Sequence, residues 1–154
     1  MTSQIDRRLE TLGITLPAAA APAANYVPAV ESQGYLYISG QIPMGPNGIE
    51  YVGKLGQELD IAAGQAAARL CAINILAQAK AALGDLDRVA RVVKLVGFVN
   101  SDPAFGDQPK VVNGASDLMV EVLGDKGRHA RSAVGVAALP FNVGVEVEAI
   151  LEIA

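Results

Sequence analysis

The sequence predicts a two-layer α+β domain, with two main helices on one face of a mixed β-sheet. Three observations predict it. Strand-like and helix-like segments follow the order ββ(β)–α–β–α–ββ, with no internal repeat and no Gly-rich phosphate loop. Near the end of the chain, Val145, Val147, Ala149, Leu151 and Ile153 alternate with Glu146, Glu148, Ile150 and Glu152, giving a strand with one apolar face and one mostly acidic face. Finally, 51% of the residues are hydrophobic and only 18% are charged, too little charge to cover every face of a monomer. Helices on one side leave the other side of the sheet bare, and the simplest cover is another subunit.

Each element has its own signals. Ser3 with Asp6 marks the start of a short helix carrying Ile5, Leu9 and Leu12, which Gly13 ends. Pro17 to Pro28 is an Ala/Pro connector. Tyr26 to Val30 and Gly34 to Ser39 read as two short strands; Gly45-Pro46-Asn47-Gly48 is a turn, with a strand expected near Ile49 to Val52. Asp60 caps a long helix from Ile61 to Leu83, closed by Gly84. Asp85 to Asp87 turns the chain into a β-branched, buried strand, Val89 to Val99. Pro109 stands near the start of a second helix, with Val111, Val112, Ala115, Leu118, Met119 and Val122 at helical spacing. Gly114 inside it costs about 1 kcal/mol against Ala, with no reason visible in the sequence. Gly124 to Gly127 turns into the last two strands, which a Pro-containing connection joins.

Composition bounds the function. A chain of 154 residues is one domain by length. A net charge of −4 and a pI near 4.9 argue against binding nucleic acid through phosphate neutralisation, so no nucleic-acid partner is expected. The one cysteine, Cys71, cannot form an internal disulfide, which fits a reducing cytoplasm, and no segment reads as a signal peptide. Residues 61–83 are Ala-rich but interrupted by Gln65, Arg69, Asn74, Gln78 and Lys80, so no membrane association is expected. The single histidine, His129, has no second His or Cys at ligand spacing and reads as a solvated loop residue; no metal site and no cofactor are expected. Cys71 lies among Leu70, Ala72 and Ile73 and reads as a small hydrophobe. What remains is Arg, Glu, Tyr and backbone. Such a set can orient an electrophilic substrate, such as an imine, and place a water beside it. If the strand opened by Arg131 pairs or converges with the strand carrying Glu146, a fixed guanidinium lies near a carboxylate, an arrangement suited to a small carboxylate substrate.

These residues also carry a resemblance. Ala130-Arg131-Ser132-Ala133-Val134, then Leu139-Pro140, then Val145-Glu146-Val147-Glu148-Ala149-Ile150 resembles the C-terminal signature of the Rid family, the reactive intermediate deaminases or YjgF-like proteins. Leu36-Tyr37-Ile38-Ser39-Gly40-Gln41-Ile42-Pro43 resembles its N-terminal signature, with Tyr26 at the spacing of the family tyrosine. The likeness covers roughly residues 26 to 153, leaving residues 1–25 as an N-terminal extension ahead of a Rid-like domain at 26–154. It implies a chorismate-mutase-like subunit assembled as a homotrimer, with sites in clefts between subunits.

The resemblance assigns roles that the residues alone leave open. Arg131 is either an ordinary salt-bridge partner or, as the resemblance implies, the clamp on the substrate carboxylate. Glu146 is either part of a solvated strand face, the reading preferred for Glu148 and Glu152, or the group that orients the hydrolytic water. Tyr26 is a core aromatic or a cleft wall. Asn113 is a helix-surface residue or a site asparagine. Ser39 and Gly40 follow a strand, where glycine lets backbone approach a ligand closely. Ala133 stands where the family often has Cys, so no thiol is available at that position. The resemblance implies hydrolysis of enamines or imines such as 2-aminoacrylate to a 2-keto acid and ammonia. A non-catalytic trimeric binder of small carboxylates or keto acids uses the same arginine. A ribonuclease or translation-inhibitor activity fits least with the acidic pI.

Overall fold

Leu36, Ile38, Leu95, Val147, Ala149 and Leu151 all point to one side of a sheet, and the helices of the chain are folded onto that side. In the computed structural model, which describes residues 2–22 and 24–154, the order is α1 (Gln4–Thr11), β1 (Ala29–Ser32), β2 (Tyr35–Gln41), β3 (Met44–Gly45), β4 (Gly48–Ile49), α2 (Ile61–Leu83), β5 (Val89–Asn100), α3 (Gln108–Leu123), β6 (Ala130–Val136) and β7 (Val145–Ile153). Five strands form the main sheet in the order β1-β2-β7-β5-β6; only β5 and β6 run parallel. The α+β class expected from the sequence is the one found.

The helices form where the caps place them. Asp60 accepts the Ala63 backbone N–H at 2.8 Å, and Gly84 ends α2 at φ +80°. Although α2 is long and apolar enough to cross a membrane, 61% of its most apolar window is buried inside the fold, which makes it the core helix. Ser3 caps α1 through Asp6 N–H at 3.0 Å, and Asp87 accepts the next free donors, Gln4 N–H and Ile5 N–H. Those two bonds hold the Asp87 carboxyl below its usual range. Lys80 Nζ on α2 bonds Asp6 at 2.6 Å, and Leu9 is buried with the main core.

Gly114 has its explanation in the helix pair. A Cβ there would lie 2.0 Å from the carbonyl oxygen of Gln65 on α2, so the two helices approach closely only because this position has no side chain.

Three expectations need correction. The last two strands do not pair: β5 lies between β6 and β7. Tyr26 is not on a strand; β1 starts at Ala29, and Tyr26 sits in the bend before it. The expected strand at Ile49 to Val52 is a two-residue arm of a tight hairpin, β3 with β4, after which Val52 makes only an isolated bridge to Val143. That segment instead feeds Lys54 to the connection between β6 and β7. Lys54 Nζ bonds Asn100 Oδ1 at 2.7 Å and the Ala137 carbonyl at 2.5 Å, while Asn100, fully buried, donates to the Val143 carbonyl at 3.0 Å.

Candidate functional site

Residues on the two faces of the sheet form two groups. Arg131 pairs with Leu95 across β6 and β5, and Ala133 pairs with Gly97, so both face the helix side at the sheet edge. Glu146 pairs with Phe98, which pairs with Val134, and all three belong to the face the helices leave bare.

The first group is built on α3. Arg131 Nη1 donates to Asn113 Oδ1 at 2.8 Å and to Ser116 Oγ at 3.2 Å, and Nη2 donates to the Pro109 carbonyl at 3.3 Å. All three acceptors are neutral, and Arg131 makes no ion pair among the described residues. Nη1 is fully used, whereas Nε and one Nη2 hydrogen make no hydrogen bond among the described residues, which leaves donors for a carboxylate. Ala133 lies two residues further along the same face, half-buried against the core. Asn113 is on the helix surface, but as an acceptor for Arg131 rather than as a bystander.

His129 and Ser116 are the residues that sequence reasoning missed here. His129 is half-buried, with Nδ1 2.5 Å from the Gly127 carbonyl and Nε2 2.9 Å from Ser116 Oγ. With the proton assigned to Nδ1, Nε2 accepts from the Ser116 hydroxyl, whose oxygen accepts in turn from Arg131. The Gly-Arg-His-Ala stretch gave no sign of this, because Ser116 comes from α3.

The second group lies in a cavity of about 560 Å³ that Tyr26, Ser39, Gly40 and Glu146 line together. The Ser39 hydroxyl donates to the Pro28 carbonyl at 3.2 Å, which ties the bend after Tyr26 to β2. Glu146 is half-buried. Burial raises its carboxyl above the usual range, and the charge of Glu148 adds to the rise. Glu148 and Tyr37 line a separate, smaller cavity on the bare face, of about 330 Å³. Cys71 is fully buried, its thiol pushed well up by burial and further by Glu146, and it packs as a small hydrophobe.

Gly40 and Glu146 fit each other closely. A Cβ at Gly40 would lie 2.6 Å from Glu146 Oε2 and 2.8 Å from its carboxyl carbon. The neighbour is the flexible end of a side chain, so Gly40→Ala should fold with a melting temperature close to that of the parent while pushing the carboxylate aside. Any reaction that depends on where this carboxylate stands should then slow by up to about a hundredfold, the cost of a 1 Å misplacement of a positioned group. An unchanged rate would mean that the position of this carboxylate is immaterial.

The structure thus brings Tyr26, Ser39, Gly40 and Glu146 together, and separately Arg131, Asn113 and Ala133. Within one chain it does not join the two sets: none of Arg131, Asn113 and Ala133 lines the cavity that holds Glu146.

Comparisons with known proteins bear on what this arrangement is. The profile of a family described as "YjgF/chorismate_mutase-like, putative endoribonuclease" matches residues 6–153. Protein TCP17 of Trypanosoma cruzi is 55% identical over 153 residues, which span 99% of this chain and 96% of that protein. The 2-iminobutanoate/2-iminopropanoate deaminase of Dermatophagoides farinae is 34% identical, over 91% of this chain and 94% of that one. Among solved structures, Atu1372 of Agrobacterium tumefaciens superposes with a TM-score of 0.91 at 56% identity, covering 97% of this chain and 92% of that one. The chain belongs to the YjgF-like, or Rid, family whose two signature blocks its sequence carries.

Proposed function

We propose that the protein is a hydrolytic deaminase that converts enamine or imine intermediates of amino acids to 2-keto acids and ammonia. The observation that carries this reading is the state of Arg131: a half-buried side chain held by three neutral acceptors, with no carboxylate partner among the described residues and with Nε and one Nη2 hydrogen unspent. A cation fixed in that way is ready for an anionic ligand. The resemblance to an imine deaminase over nearly the whole chain supports the choice of reaction.

In this reading Arg131 holds the substrate carboxylate by two parallel hydrogen bonds. Asn113 and Ser116 keep the guanidinium plane fixed, which reduces the entropy lost on binding. Glu146 takes a proton from water as the water oxygen attacks the imine carbon. It returns that proton to nitrogen, which gives the carbinolamine, and then relays the proton of the new hydroxyl to the same nitrogen as the carbon–nitrogen bond breaks, releasing ammonia and leaving the carbonyl. A carboxyl with a raised pKa suits both transfers. Ser39 and the backbone at Gly40 steady the imine end, and Tyr26 walls the cleft.

A complete site needs both groups, and one chain keeps them apart, so the reading includes a homotrimer with each cleft shared between neighbours. The bare face of the sheet supports this. Val30, Tyr37, Ile150 and Lys94 form one cross-strand row on it, and Val30 and Tyr37 are 49% and 45% exposed. Light scattering should give three times the chain mass at micromolar concentration; a stable monomer would remove the shared cleft. The reaction itself is tested by ammonia release from an enzymatically generated enamine, with and without the protein. No acceleration over buffer would leave only the binder.

A further inference from the structure

We infer that the N-terminal arm, Pro17 to Pro22, and Phe141 build a side-chain pocket beside Glu146, and that the preferred substrates carry a neutral, apolar side chain of about four carbon or sulfur atoms. This rests on the deaminase reading of the site and narrows its substrate class.

The cavity that holds Glu146 is far larger than a three-carbon imino acid needs, at about 560 Å³. One part of its lining is the arm, a run of Pro and Ala with no charge and no side-chain donor. The arm is anchored there. Gln78 on α2, 3% exposed, donates its amide to the Ala20 carbonyl at 2.9 Å. Asn74, one turn earlier on the helix, spends its amide on the carbonyls of Ile42 and Met44, at 3.0 and 3.1 Å. The amide donors on this wall are therefore committed to backbone, and the arm itself offers a ligand only methyl, methylene and ring.

Phe141 forms part of the same lining, from the connection between β6 and β7. It is 71% exposed and sits at φ +58°, a left-handed conformation that is uncommon for a residue with a side chain. The next residue, Asn142, shares it at φ +57°, and its side-chain oxygen accepts from buried Asn100 at 3.0 Å. A large ring held exposed by a strained backbone, at the edge of an apolar cavity, is explained by something apolar that comes to lie against it. The charges agree. Among the described residues no Lys or Arg lines the cavity, and Glu146 does, so a second carboxylate on the substrate would meet a carboxylate and no cation of this chain.

Keto acids, the products, test this without needing turnover. Calorimetric titration of the full-length protein should show 4-methyl-2-oxopentanoate binding about fiftyfold more tightly than pyruvate, roughly fourfold for each of three added carbons. 2-Oxoglutarate, of similar length, should bind no better than pyruvate. In Phe141→Ala the ratio of the first two affinities should fall about tenfold, and Phe141→Leu should recover most of it. Gln78→Ala, which frees the arm, should lower the same ratio while leaving the circular dichroism spectrum intact. Equal affinities for the two monocarboxylates, tight 2-oxoglutarate binding, or variants that weaken all three ligands alike would overturn the pocket. Failure of the underlying reading looks different: Arg131→Ala would then bind pyruvate as well as the parent does. Binding that follows the size series in a protein that releases no ammonia would keep the pocket and remove the deaminase. No binding of any keto acid would remove both.

Discussion

Arg131→Ala is expected to abolish binding of pyruvate and, with it, deaminase activity, in a protein that still folds. Two charge-assisted hydrogen bonds to a carboxylate contribute on the order of 3 kcal/mol or more, so affinity should fall at least about a hundredfold. The fold should tolerate the change, because Asn113 is exposed, Ser116 is half-buried and the Pro109 carbonyl sits in the first turn of α3, where water can replace the guanidinium. Arg131→Lys separates charge from shape. It keeps the positive charge but offers a point donor where a planar fork stood, and it cannot bridge Asn113, Ser116 and the Pro109 carbonyl together. Its affinity for pyruvate should fall between those of the parent and Arg131→Ala, by about tenfold from the parent. Calorimetry on all three proteins gives the series, and a melting curve confirms the fold. Full activity in a correctly folded Arg131→Ala protein would sink the assignment of the site.

Residue patterns made the elements legible but not their neighbours. Asp60 and Gly84 marked both ends of α2, because caps act within a turn of the chain. The alternation from Val145 to Ile153 showed which side chains of β7 share a face. It carried no information on which strand pairs with which, and β5 in fact separates the two strands that follow one another in sequence. The meaning of Gly114 depended on Gln65, 49 positions earlier, and that of His129 on Ser116 of another element. The signature spacing singles out Tyr26, but local pattern does not place it: β1 begins three residues later, at Ala29. The residues of the candidate site are named by the sequence, and the structure shows only which of them lie together. Their division into two separate groups is not legible in the sequence, because it depends on β5 lying between the strands that carry Arg131 and Glu146.

Glu146→Gln should lower turnover about a hundredfold or more while changing the affinity for pyruvate by no more than a few fold. The amide keeps the size of the carboxyl and can still hold a water, but it cannot take the water's proton, and general-base assistance is worth about 10²–10⁴ in rate. The acid limb of the parent's pH–rate profile should disappear in the variant. In the parent, activity should be lost as pH falls through the Glu146 pKa, which burial and Glu148 place above the usual carboxylate range. The stability effect has the opposite sign. A carboxyl whose pKa is higher in the folded than in the unfolded state favours folding when protonated. That contribution is present below the unfolded pKa and lost as pH rises through the folded one. At neutral pH the charged Glu146 therefore works against the fold, and Glu146→Gln should melt no lower than the parent, and slightly higher. At pH 4, where the parent carboxyl is largely protonated, that difference in melting temperature should close. A variant that loses turnover and stability together would make Glu146 a structural residue. A variant that keeps turnover would move the proton transfer to another group.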